Sequence, residues 1–113
     1  MIKKDLPVID LELGKKLSGG KEDLAKEMIG MLKEHLPNDF AIIKTAFEKN
    51  DLDALQVSVH KMHGAVSYCG TPALKQATAD LELALRNKQS EKIPVLFADL
   101  SSQVTKVLET NYE

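Results

Sequence analysis

Apolar side chains return at steps of three and four along nearly all of the chain, and no segment alternates cleanly between apolar and polar. The clearest run is Leu52, Leu55, Val59, Met62 and Val66. A helix advances about 100° per residue, so these five share one face, whereas a strand would divide them between two. This periodicity restricts the chain to an all-helical fold whose stripes must be buried against one another.

The breakers between the stripes set the elements. Asp10 can cap a short helix over 10–18 carrying Leu11, Leu13 and Leu17, which Ser18, Gly19 and Gly20 stop. A segment over 21–49 follows, with Leu24, Met28, Met31, Leu32, Phe40, Ile43 and Phe47 as its apolar stripe. Pro37 lies inside it, predicting one long kinked helix or two nearly collinear ones. Asn50 or Asp51 caps the next helix, over 51–69, and Gly70 can take the left-handed conformation that closes it. Thr71 and Pro72 read as N-cap and first residue of a helix over 72–87, carrying Leu74, Ala77, Leu81, Ala84 and Leu85. The last helix, over 92–110, carries Leu96, Leu100, Val104 and Val107. Connections this short make neighbouring helices antiparallel. The expected architecture is one domain over 1–113, an up-and-down four-helix bundle with a short additional N-terminal helix.

Composition narrows the function. The chain has 113 residues, enough for one core, and a formal net charge of only −2, so no basic field draws nucleic acid or anionic lipid. Aromatics make up 4% with no tryptophan, too few for base-stacking platforms. No apolar run is long enough to span a bilayer, and the opening "MIKKDLPVIDLE" is too short and polar for a signal peptide. A single cysteine forms no internal disulfide, which points to a reducing, cytoplasmic setting without direct membrane contact. No Ser–His–Asp context or phosphate-cradling glycine loop supports a hydrolase or nucleotide site.

One stretch, "HKMHGAVSYCG" from His60 to Gly70, is hard to explain by packing. Relative to the buried stripe of its helix, His60 lies roughly 130° away, toward solvent, and His63 roughly 70° away, on the shoulder. Gly64 sits one turn above His60 on the same side. An exposed mid-helix glycine costs about 1 kcal/mol against alanine. Close approach of another molecule over His60 would account for it. A neutral imidazole is a competent nucleophile, and Lys61 and His63 could offset the charge of a phosphoryl group placed on His60.

This stretch resembles the histidine-containing phosphotransfer (HPt) domain, whose helix bears His, an apolar residue, Lys and Gly. His60, Met62, Gly64 and Gly70 match that pattern, while His63 stands where the family usually has lysine. That histidine, the tyrosine after it and the "GTP" turn are similar to the carboxy-terminal HPt domains of BarA/GacS/LetS-type hybrid sensor kinases. The resemblance implies that His60 accepts a phosphoryl group from a receiver-domain phospho-aspartate and passes it to a response-regulator aspartate. It implies a phosphotransfer protein rather than an enzyme, with no cofactor of its own, Mg²⁺ being supplied by the receiver. It also implies that Glu82, on the following helix, orients the His60 ring. His63 either neutralises phosphate or is a polar shoulder residue, and docking is expected on Ala65 and side chains of the long second helix.

Two other readings compete. A plain helical adaptor would need no chemistry at His60. A metal site could use His60 and His63 as ligands, with Cys69 further along the chain. Cys69 reads more simply as a small core residue, the set Met28, Met31 and Met62 as core, and His35 as a cation before Pro37.

Overall fold

The computed structural model describes residues 6–111; the ends of a 1–113 domain and the start of the opening stretch lie outside them. Five helices run in order: α1 Leu11–Leu17, α2 Glu22–Glu48, α3 Leu52–Val66, α4 Pro72–Arg86 and α5 Ile93–Glu109, the last entered through a 3-10 turn at Ser90–Lys92. Among the described residues there is no strand, and no helix is long and apolar enough to cross a membrane. Helices α2 to α5 each pack on the next, and α5 returns to α2, closing a four-helix bundle; α1 rests on α2.

Capping explains where the helices start. Asp10 Oδ1 accepts from the Leu13 N–H at 3.0 Å, and Asp51 Oδ1 from that of Ala54 at 3.1 Å. Asp51 rather than Asn50 is therefore the cap of α3, and Asn50 takes a positive φ of 53° in the turn before it. Thr71 holds the N-cap position of α4 without using its hydroxyl; Oγ1 is buried with no hydrogen-bond partner.

Pro37 does not interrupt α2, which is one helix of 27 residues. At about 1.5 Å per residue such a helix is roughly 40 Å long, and it sets the molecule's 40 Å longest extent. Its buried face matches the expected stripe in part: Leu32 and Ile43 are buried and Met28, Phe40 and Phe47 pack against the core, but Leu24 and Met31 do not. Ala25, Ile29, Leu32, Leu36, Ile43 and Ala46 are buried, whereas Leu24 is exposed and Met31 is 52% exposed. Leu24 and Met31 precede Ala25 and Leu32 by one residue, about 100° around the helix, so the true stripe turns them outward. The methionines accordingly divide: Met62 is core, Met28 packs at its edge and Met31 is on the surface.

Leu36, Leu55, Leu81 and Leu100, one from each bundle helix, are completely buried. Each is worth about 1.5–3 kcal/mol against exposure, before entropy is counted. Phe97 of α5 stacks on Phe47 and Phe40 of α2, at centroid distances of 4.0 and 5.6 Å, and closes the α2–α5 seam.

The end of α3 departs most from expectation: the helix stops at Val66 rather than at 69. Its exit tightens, with Cys69 N–H reaching back only three residues, to the Val66 carbonyl. Ser67 Oγ and Cys69 Sγ donate to the carbonyls of His63 and Ala65. Gly70 then reverses the chain at φ 68°. A Cβ there would lie 2.7 Å from the Asp10 carbonyl oxygen and 2.8 Å from the Gly14 backbone, because α1 is clasped onto this turn. Asp10 N–H donates to the Gly70 carbonyl at 2.8 Å, and the Ala73 N–H at the start of α4 to the Pro7 carbonyl at 3.2 Å. The clasp fixes α3 against α4, and the site described next lies between those two helices.

Candidate functional site

Helix α3 buries Leu55, Val59, Met62 and Val66, which leaves His60 and Gly64 facing outward. The His60 side chain is 72% exposed. His63, on the shoulder of the same stripe, is 29% exposed. Across from them, α4 buries Ala77, Thr78, Leu81, Ala84 and Leu85, and with them one acid, Glu82, whose side chain is 8% exposed. A carboxylate so enclosed requires partners. It has three.

Glu82 Oε2 takes a short hydrogen bond from His60 Nδ1, and Oε1 lies 3.1 Å from His63 Nδ1. Arg86, one turn along α4, places Nη2 3.3 Å from Oε2. One carboxylate thus joins two imidazoles through the same type of ring nitrogen, with a guanidinium beside the oxygen that serves His60. A carboxylate only accepts, so in the His60 bond the proton belongs to Nδ1. In the neutral His60 ring this leaves the Nε2 lone pair free, on an exposed side chain. Nε2 is then available to an electrophile arriving from solvent.

Gly64, one turn along α3 from His60, has open space around it; a Cβ built there meets nothing within 4 Å. Its helical backbone does not need a glycine, so nothing within the chain explains its lack of a side chain.

Lys61 is not part of the Glu82 cluster. It lines the neighbouring groove between α2 and α3, with Asp39, Ile42, Asp53, Val57 and Met62. Val57, 71% exposed, and Asp53 line both that groove and the concavity holding His60, Glu82 and Arg86. Ile42 of α2 is 53% exposed. The exposed Val57 and Ile42 therefore form a partly apolar strip from the edge of the His60 concavity to α2, flanked by Asp39, Asp53 and Lys61. Ala65 is exposed on α3 as well.

Sequence reasoning passed over Arg86 and Val57. Arg86 had one visible cue, its i, i+4 spacing from Glu82. Val57 had only its position off the stripe. Cys69 is buried, its thiol donates to Ala65, and burial pushes that thiol upward from its ordinary pKa, so it is a poor ligand or nucleophile. Among the described residues no group of three or more His, Cys, Asp or Glu is placed to hold a metal ion. His35 is exposed on α2.

Residues 27–110 match the family model described as Hpt domain. The chain is 39% identical over 92 residues to the sensor histidine kinase GacS of Pseudomonas protegens, a match covering 81% of this chain and 10% of that protein. It is 28% identical over 101 residues to the signal transduction histidine-protein kinase BarA of Escherichia coli K12, covering 89% of this chain and again 10% of the relative. The chain thus spans about a tenth of the length of these curated relatives. The crystal structure of the HPT domain from an Hpt sensor hybrid histidine kinase of Shewanella has the same fold. It aligns with a TM-score of 0.72 at 30% identity, over 88% of this chain and 90% of that one.

Proposed function

Because the chain belongs to the Hpt domain family, we propose that His60 is its phosphoacceptor, taking a phosphoryl group on Nε2 from a receiver phospho-aspartate and yielding it to another. The observation that carries this reading is the bond from His60 Nδ1 to the buried Glu82 carboxylate.

Glu82 serves both directions of transfer. In the accepting direction, the Nε2 lone pair forms the N–P bond while the acyl O–P bond breaks. Its electron pair leaves with the receiver carboxylate. No proton has to leave Nε2, because the ring's proton is held at Nδ1 by Glu82. In the donating direction the same Nδ1 proton lets the ring depart as neutral imidazole rather than as an imidazolate. The helix keeps the nucleophile in position, so transfer reduces to bringing an in-line phosphoryl donor within reach.

The proposed partners are the receiver domain of its own or a cognate hybrid kinase, and a downstream response regulator. The receiver brings the Mg²⁺ that offsets phosphoryl charge, and no cofactor or ATP site is assigned to this domain. Encounter occurs in the cytoplasm, over the strip of Val57 and Ile42, with Gly64 leaving room for the receiver to approach His60.

The test is to phosphorylate the domain from a receiver and record ¹⁵N–³¹P coupling in histidine-labelled protein. Coupling to Nε2 of His60 supports the assignment. Coupling to Nδ1, or to His63, overturns it.

A further inference from the structure

The concavity around His60 is lined by two acids, Glu82 and Asp53, together with Gln56, Val57 and Arg86. A phosphoryl group on Nε2 therefore places about two negative charges where two carboxylates already face. A nearby cation favours that state. Lys61 lines the adjacent groove instead. His63 turns its Nδ1 toward Glu82, 3.1 Å from Oε1. Arg86 lines the same concavity as His60, and its guanidinium lies beside the Glu82 oxygen that holds the His60 ring.

Resting on the assignment of His60 as phosphoacceptor, we propose that Arg86 is the phosphoryl-binding cation of this domain, and that His63 is a positioning residue which holds Glu82. The contact of Arg86 with Glu82 runs through Nη2 at 3.3 Å. A guanidinium carries five N–H donors in a rigid fork, so it grips a phosphoryl oxygen while still facing Glu82. Its side chain is 60% exposed, which leaves it free to swing the short distance outward. His63 then accounts for the other oxygen. Its Nδ1, 3.1 Å from Oε1, is placed to hold the carboxylate's rotation and keep Oε2 on His60 Nδ1 when Arg86 turns to the phosphoryl group. In this arrangement the charge usually expected from the residue three positions after the acceptor comes from α4. A histidine at position 63 is then sufficient.

The experiment measures the equilibrium ratio of phosphorylated domain to phosphorylated receiver, alongside the rate of approach to it. Docking affinity alters the rate and cancels from the ratio, which depends only on the free and phosphorylated proteins. Arg86→Gln is expected to move the ratio about three- to tenfold toward the receiver, with Arg86→Lys, which keeps the charge but not the fork, recovering only part of the loss. Lys61→Gln is expected to change the rate alone. His63→Gln is expected to lower the rate and shift the ¹⁵N resonances of His60 away from the pure Nδ1–H tautomer, and His63→Lys to restore transfer.

An unlabelled wild-type domain would remove the phosphoacceptor assignment, and this inference with it. Normal labelling of wild type with a ratio unchanged in Arg86→Gln, or shifted instead in Lys61→Gln, would overturn the role of Arg86 and leave His60 in place. His60 resonances and a transfer rate unchanged in His63→Gln would overturn the positioning role. The exposed position of Arg86 makes a folding failure in its variants readily separable, by comparing their thermal unfolding with wild type.

Discussion

Replacing Gly64 by glutamine separates stability from function in opposite directions. In the free domain the new side chain meets open space, since a Cβ at this position has no neighbour within 4 Å and the backbone is helical without a positive φ. Glycine costs a helix about 1 kcal/mol relative to alanine, and glutamine recovers most of it. The variant is therefore expected to be more stable by roughly 0.5–1 kcal/mol, raising Tm by a few degrees, on the order of 2–5 °C for a domain of this size. Transfer responds the other way. A glutamine reaches several ångströms above the helix on the face that carries His60, and a displacement of about 1 Å at the reacting atoms costs about 100-fold. Quench-flow transfer from a phosphorylated receiver should accordingly slow by at least about 100-fold, with Gly64→Ala between the two. A Gly64→Gln protein that is more stable and transfers at the wild-type rate would refute the clearance argument. One that is destabilised would refute the account of the free space.

Val57→Asn, placing an uncharged polar group in the exposed strip beside His60, should slow transfer while leaving the phosphoryl equilibrium and Tm near wild type; a shifted equilibrium would contradict a pure docking role. Gly70→Ala should destabilise by about 3 kcal/mol or more, because it combines a left-handed φ with a Cβ 2.7–2.8 Å from the clasped α1 backbone. A drop in Tm on the order of 10 °C in thermal unfolding is the expected readout. The Cys69 thiol is raised above its ordinary 9.0 by burial, so its contribution to stability is fully present below pH 9.0 and is lost as pH rises through the higher folded value. Denaturant midpoints of wild type should fall in that alkaline range more steeply than those of Cys69→Ala; parallel curves would contradict the assignment.

The parts of the fold readable from sequence were those where one strong stripe left no alternative. On α3 Leu55, Val59, Met62 and Val66 set the helix angle, with Leu52 in the first turn left exposed, and the exposure of His60 and Gly64 follows from that angle alone. On α2 the expected stripe is only partly right, because Leu24 and Met31 run beside Ala25, Ile29 and Leu36, which are the residues buried in their place. Size favoured the larger residues, yet the close contact with α1 takes the small Ala25, whose Cβ lies 3.6 Å from where a Cβ on Gly14 would stand. The end of α3 was misplaced because Ser67 and Cys69 look helical until the clasp at Gly70 is known. Within the site, Glu82 was reached only through the family resemblance, since a glutamate beside Leu81 ordinarily reads as surface. That it gathers His63 and Arg86 as well as His60 depends on how α3 and α4 are set against each other, which no local pattern encodes.

The most direct test mixes a phosphorylated cognate receiver and Mg²⁺ with the domain and follows its intact mass, for wild type, His60→Gln and His63→Gln. The account predicts rapid, acid-labile gain of one phosphoryl group by wild type, slower gain by His63→Gln, and none by His60→Gln. Labelling that survives in His60→Gln, or no labelling of wild type by any receiver of the same organism, would contradict it, and the latter would favour a helical adaptor that binds without chemistry.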